Sequence, residues 1–213
     1  MIEEILPAAV AAVEAFDDPP DALLYPEEEA VVARAVDKRQ REFTTARVCA
    51  RAALATLGLP PAPILPGQRG APGWPNGVVG SMTHCSGYRA AALAHARDVL
   101  TIGIDAEVHE ALPAGVLDLV SVPDERPRLR RLAADEPAVC WDRLLFSAKE
   151  AVYKAWFPLT RTWLDFTEAD LTLHRSGGFS ARLLVPGPVS GFEGRWLVRD
   201  GLLLTAIAVP ATQ

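Results

Sequence analysis

Residues 99–107 read VLTIGIDAE, and this stretch decides what kind of chain this is. Its alternation has the period of an extended strand. On such a strand Leu100, Ile102, Ile104 and Ala106 share one face, while Thr101, Gly103, Asp105 and Glu107 share the other. The first face suits a core and the second suits a site. The strand ends by setting two carboxylates side by side, where each raises the other's pKa unless a cation offsets them. A hard divalent ion, Mg²⁺ or Mn²⁺, takes carboxylate oxygens and keeps positions open for water and phosphate. Two acids at this spacing also suit a solvated strand end, so the stretch needs a third group to decide it.

That third group lies downstream. Residues 141–157, WDRLLFSAKEAVYKAWF, read as a helix of about four turns, expected to stop at Pro158. Leu144, Leu145, Ala148, Ala151, Val152 and Ala155 supply its buried sides. Glu150 and Lys154 share a face at i,i+4, flanked by Phe146, Tyr153 and Phe157. Upstream, VVGSMTHCSGYRAAALAHA (78–96) reads as two strands around a turn near Ser86-Gly87. Farther upstream, PEEEAVVARAV starts a helix at Pro26. Helical character resumes through REFTTARVCARAALATLG, with a stripe of Phe43, Ala46, Ala50, Ala53, Leu54 and Leu57 and a stop at Gly58. Residues 59–77 form a long Pro/Gly loop, and 108–139 read as irregular with short helical pieces. The N-terminal MIEEILPAAVAAVEAF is expected to be an amphipathic helix. After the 141–157 helix come strands ADLTLHR and FSARLLV, then a hairpin turned at Asp200-Gly201. Helix followed by hairpin thus occurs twice, which hints at a duplicated α+β unit.

With 213 residues, half of them hydrophobic and 23% charged, the chain can bury a substantial core. It carries no apolar run long enough for a membrane span, and its N-terminus is acidic where a secretory signal would be basic. Cys49, Cys85 and Cys140 have no CxxC spacing, so reduced thiols in a cytoplasmic protein are expected. A net charge of −6 argues against general nucleic-acid binding. Basic residues nevertheless gather in 33–51, where Arg34, Lys38, Arg39, Arg41, Arg47 and Arg51 face only Asp37 and Glu42. A local anion site is compatible with an acidic chain.

Four stretches in order, KRQREFTTARVCAR, WPNGVVGSMTHCSGYRAAALA, IGIDAE and FSAKEAVYKAWF, resemble the 4′-phosphopantetheinyl transferases. The likeness is to the Sfp-like group, in its enterobactin-synthase-component-D-type and actinobacterial branch, and spans roughly Lys38 to Leu159. It implies a fold of two similar α+β halves about a pseudo-twofold axis, about 1–100 and 101–213, with the ligand cleft between them in a single catalytic unit. It implies transfer of the phosphopantetheine arm of coenzyme A to a serine of an acyl or peptidyl carrier protein, releasing adenosine 3′,5′-bisphosphate. A chain of two halves can form that cleft as a monomer. Asp105, Glu107 and Glu150 match the family's metal ligands, with Mg²⁺ expected and Mn²⁺ an alternative. Lys149 and Lys154 match lysines that serve the coenzyme A phosphates. His84, Arg39 and Arg47 match positions at the 3′-phosphate and adenine end, and Arg69 one over the nucleotide. Phe146 and Met82 depart from the family's usual Trp and Ile or Leu, both apolar exchanges.

Within that frame Glu150 is the candidate to accept the serine proton, directly or through water, and Lys154 to stabilise charge on the bridging region. The remaining histidines and the five tryptophans are expected to be structural, and Arg34, Arg41 and Arg51 to be solvated. The segment from His109 to Pro137, which contains PRLRRL and the arginines Arg126, Arg128, Arg130 and Arg131, is a candidate docking element for an acidic carrier. Two other readings stay open at this point: a metal-dependent nucleotide pyrophosphatase using the same acids, and a non-catalytic coenzyme A or nucleotide-binding module.

Overall fold

A computed structural model describes residues 1–211. The helices are α1 (Pro26–Val32), α2 (Asp37–Thr56), α3 (Val116–Val120), α4 (Glu125–Asp135) and α5 (Trp141–Thr160). The strands are β1 (Ala11–Ala15), β2 (Val78–Cys85), β3 (Tyr88–His95), β4 (Val99–Val108), β5 (Ala169–His174), β6 (Gly178–Leu183), β7 (Gly191–Arg199) and β8 (Leu202–Pro210). They form two antiparallel sheets, ordered β1-β3-β2 and β4-β8-β7-β6-β5. The α+β class expected from the sequence is the class observed.

Each sheet is covered by one long helix. Ala50, Ala53 and Leu54 of α2 pack on Ala91 and Leu93 of β3. The helix ends as its glycine signal predicts: Leu59 N–H reaches Leu54 O and Gly58 N–H reaches Ala55 O, with Gly58 at φ 73. Helix α5 lies on the larger sheet and buries Leu144, Leu145, Ala148, Ala151, Val152 and Ala155 completely. Between the sheets lies a shared core of Ala90, Ala92 and Ala94 with Ile102, Ile104 and Ala106, plugged by Ile2 and Ile5.

The N-terminal segment departs from expectation. It forms a short 3-10 turn at Ile2–Ile5, and then β1 pairs antiparallel with β3, Val13 opposite Ala91. The sheet edge of β3 outweighs the helical propensity of an alanine-rich run. Helix α5 also runs past Pro158 to Thr160, where Arg161, left-handed at φ 58, donates its N–H to Phe157 O. Helix α4 spans 11 residues, longer than the short pieces expected there.

On β4 the two-face reading holds from Thr101 onward. A register shift between Val99 and Thr101 turns Leu100 outward, 41% exposed, and puts Val99 in the core in its place. The polar face begins not as an open site but beneath α5. A Cβ on Gly103 would lie 2.0 Å from Ala151 O, so only a glycine lets the helix rest on the strand here. Thr101 completes the contact by donating its hydroxyl to Ala155 O at 2.7 Å. The next residues on that face, Asp105 and Glu107, emerge where the helix presents Glu150 and Lys154.

The two sheets meet along β2 and β4, which run side by side in the same direction without a backbone ladder. Side-chain hydroxyls bridge them: Ile104 N–H donates to Ser81 Oγ and Ala106 N–H to Thr83 Oγ1, both at 3.1 Å.

Candidate active site

This seam brings strand acids, helix residues and the basic cluster together. Asp105 is buried, and its Oδ1 accepts from Lys154 Nζ at 2.8 Å and from the Thr83 hydroxyl at 3.2 Å. Its Oδ2 is buried and has no hydrogen-bond partner among the described residues. Glu107 accepts from Arg143 Nη1 at 2.8 Å through Oε2. Burial pushes the Glu107 carboxyl up and the charge of Asp105 adds to this, against the pull of Arg143. Burial also pushes Glu150 up, with Asp105 and Glu107 adding and Lys154 opposing. Lys154 pairs with Asp105 and with Ile104 O at 3.0 Å, not with Glu150 one turn away.

As the side chains stand, no three His, Cys, Asp or Glu residues among those described form a ready-made metal cage. The donor set nevertheless fits a hard divalent cation. An orphaned buried carboxylate oxygen beside two further acids of raised pKa is an excess of negative charge that Lys154 and Arg143 only partly offset.

Across the seam, α2 and β2 supply the positive side. Arg39 Nη1 meets His84 Nε2 at 2.6 Å, and Glu42 Oε2 lies 3.5 Å from Nδ1. Arginine only donates, so Nε2 accepts and Nδ1 carries the proton. Burial lowers the His84 pKa, and Arg39 and Lys154 lower it further against Glu42. Arg47 is buried, donating Nε to Ile64 O at 2.9 Å and Nη1 to Phe43 O at 3.3 Å, with its guanidinium over the Phe43 ring. Burial brings its pKa down to about 10 against the nearby Glu28. Arg51, expected to be solvated, instead grips the wholly buried Glu28 at 2.9 Å and Leu23 O at 2.5 Å. Arg69, left-handed at φ 55, reaches from the long loop to sit 5.3 Å over the Trp163 ring.

Two other expectations change. Lys149 does not join this group. Its ammonium is buried and donates to Phe166 O at 2.6 Å and Ala169 O at 3.0 Å, and it pairs with Glu125 at 2.8 Å. All three of its protons have acceptors inside the fold, although its side chain also lines the cleft at Glu150. Trp163 is not core but 51% exposed, and its ring sits 4.8 Å from that of Tyr153, tilted by 54°, beside Glu150. Together with Leu164 and Phe166 these rings line a small cleft at Glu150. Of the four arginines in the candidate docking segment, Arg126 pairs with Asp118 and Arg128 with Asp170, so only Arg130 and Arg131 stay exposed without such partners among the described residues.

Sequence reading missed Thr83, Arg143 and Glu28. Thr83 was legible only as the residue before His84. Arg143 stood in plain view one turn ahead of Ser147 on the site helix, but nothing in its spacing to Glu107 marked the pair.

The site now has an independent comparison. Residues 27–94 match the 4′-phosphopantetheinyl transferase N-terminal domain, and residues 101–204 match the 4′-phosphopantetheinyl transferase superfamily. The chain is 60% identical to the 4′-phosphopantetheinyl transferase Svp of Streptomyces mobaraensis, over 99% of this chain and 90% of that protein. It is 53% identical to Npt of Nocardia iowensis, over 98% and 99%. With PptT of Mycobacterium tuberculosis it shares 48% identity, over 98% of each. On this similarity, which runs the length of the molecule, the chain belongs to the 4′-phosphopantetheinyl transferase superfamily and is an enzyme of that class.

Proposed function

We propose that the enzyme joins the phosphopantetheine arm of coenzyme A to a carrier-protein serine at the β2–β4 seam. Asp105, Glu107 and Glu150 would hold the divalent cation, Mg²⁺ by preference. Held there, such an ion would supply positive charge to offset the negative charge that builds on the leaving group. The observation that carries this reading is Asp105 Oδ2, buried without a partner in the midst of the acids.

The serine oxygen forms a bond to the phosphorus that bears the arm. The bond from that phosphorus to the bridging oxygen breaks, and adenosine 3′,5′-bisphosphate leaves. Glu150 has no hydrogen bond of its own among the described residues, so its carboxylate is free to take the serine proton, directly or through water. Lys154 spends two donors on Asp105 and Ile104 O and keeps a third for the departing phosphate. Arg39 and the Nε2 edge of His84 lie ready at the 3′-phosphate end, where an arriving phosphate displaces their mutual contact. Arg47 stands behind them as a desolvated charge. Arg69 closes over the nucleotide. The aromatic cleft beside Glu150 suits the uncharged arm.

We take the halves to divide near residue 100, within one catalytic unit that works as a monomer. Three free cysteines favour a reducing, cytoplasmic setting, and no helix among the described residues is long and apolar enough to cross a membrane. The carriers are acyl or peptidyl carrier proteins of fatty-acid, polyketide or nonribosomal-peptide synthesis. The test is intact-mass analysis of a panel of apo-carriers after incubation with coenzyme A and Mg²⁺. One added phosphopantetheine arm is expected. Coenzyme A cleavage without any carrier would instead make the enzyme a pyrophosphatase, and binding without either reaction would make it a non-catalytic module.

A further inference from the structure

We propose that Arg143 is a positioning residue of the metal site, holding Glu107 by one carboxylate oxygen so that the other is presented to the cation; this rests on the cation reading above. Arg143 Nη1 donates to Glu107 Oε2 at 2.8 Å, while Nε and Nη2 donate to Glu110 O and Ala111 O, both at 3.1 Å. Its side chain is only 18% exposed. With two edges committed to carbonyls, the fork cannot swing to cover both carboxylate oxygens. Elsewhere in the chain an arginine free to do so does: Arg199 takes Glu4 Oε1 and Oε2 together at 2.5 and 2.9 Å.

The carbonyls that restrain Arg143 belong to a segment that is itself fastened to the start of α5. Leu112 N–H donates to Asp142 Oδ2 at 2.8 Å, and Cys140 N–H donates to His109 Nε2 at 3.0 Å. Residues 140, 142 and 143 thus lock the chain from 107 to 112 against the site helix. The outcome matches Asp105, whose Oδ1 is held by Lys154 and Thr83 while Oδ2 has no partner. No hydrogen bond among the described residues reaches Glu107 Oε1. Both strand acids therefore follow one rule: a cation from α5 anchors one oxygen and the second is left over. Partners behind a ligand commonly set metal affinity by a factor of about 10–100.

The test uses Mn²⁺ as a paramagnetic probe, titrated into the full chain with coenzyme A present and read as loss of the free-ion electron-spin-resonance signal. Wild type is expected to bind, and Arg143→Gln to bind about tenfold or more weakly. Adding Arg143→Gln to Glu107→Gln is expected to cost little more than Glu107→Gln alone, because the arginine acts through that carboxylate. Arg143→Lys keeps the charge but cannot span a carboxylate and two carbonyls, so a few-fold loss is expected; it also serves if Arg143→Gln does not fold. Unchanged or tighter Mn²⁺ binding in a folded Arg143→Gln, wild-type affinity in Arg143→Lys, or full additivity in the double variant would each overturn the proposal. A wild type that binds no Mn²⁺ would instead overturn the cation reading beneath it.

Discussion

Helix α5 carries two lysine–carboxylate pairs five residues apart, and they are opposites. Lys149–Glu125 is closed. The lysine has three acceptors, and the glutamate's remaining capacity goes to Val122 N–H and Leu171 N–H, both at 2.7 Å. Lys154–Asp105 is open. One ammonium proton and one carboxylate oxygen are left over, and the lysine is 25% exposed. A buried ion pair with every position filled fixes the packing of α4 and β5 on α5. The same pair with positions unfilled is a place for a ligand. Both are lysine–carboxylate contacts of 2.8 Å, and what separates function from architecture is the count of unsatisfied atoms.

The sharpest way to break this contrast is to damage the open side. Glu150→Gln and Asp105→Asn should each cut transfer by roughly 10³-fold or more while far-UV circular dichroism stays native. Near-normal turnover in either would remove that residue from the chemistry. On the closed side, Lys149→Met leaves Glu125 buried and unpaired, so urea unfolding should show a loss of about 3–5 kcal/mol. The protein that remains folded should keep its KM for coenzyme A. A raised KM with unchanged stability would return Lys149 to the phosphates.

A smaller effect tests the basic side. Arg39→Ala and Arg47→Ala should raise the KM for coenzyme A by about tenfold, and that for 3′-dephospho-coenzyme A much less. Equal effects on both substrates would cancel the 3′-phosphate assignment. Arg47→Ala should also melt earlier, since its side chain is 6% exposed and held by Ile64 O, whereas Arg39 is on the surface.

The smallest expected effect is on the pH dependence of stability. A carboxyl whose pKa is raised by folding favours the native state at low pH, and that advantage is lost as pH climbs through the raised value. Glu150 is such a group in the metal-free protein. Glu150→Gln, which mimics the protonated form, should melt with wild type below about pH 4.3 and above it as pH rises past that point. Thermal melts from acid to neutral pH, without metal, would show the gap open. A gap constant across pH would mean that no such shift exists.

Much of this was legible in the residues. The alternation in 99–107 marks the two faces of β4 from Thr101 onward, and the 3.6-residue period in 141–157 marks the buried sides of α5, although Leu100 turned outward and α5 ran two residues past Pro158. The Asp200-Gly201 and Ser86-Gly87 turns are local chemistry and formed as well. What failed depended on partners remote in sequence. In the first sixteen residues a 3-10 turn and the strand β1 replaced the expected helix because β3 had a free edge, and the Tyr88 hydroxyl, 74 residues beyond Glu14, now donates to it at 2.7 Å. Lys149 and Lys154 look alike in sequence, and only the arrival of α4 beneath one of them tells them apart. Arg51 was misjudged for the same reason: its partner Glu28 sits on another helix.

The glycine at 103 leads to one more conclusion. Strand and helix touch there with no room for a methyl, and the acids they carry lie close by: Asp105 and Glu107 two and four residues along the strand, Glu150 next to Ala151 on the helix. The reach between Asp105 and Glu150 is therefore ruled by a missing carbon, as the reach of a pair of callipers is ruled by its pivot. An enzyme with alanine there would retain all three acids but set strand and helix farther apart, and on the cation reading proposed above the wider gap would favour an ion of larger radius.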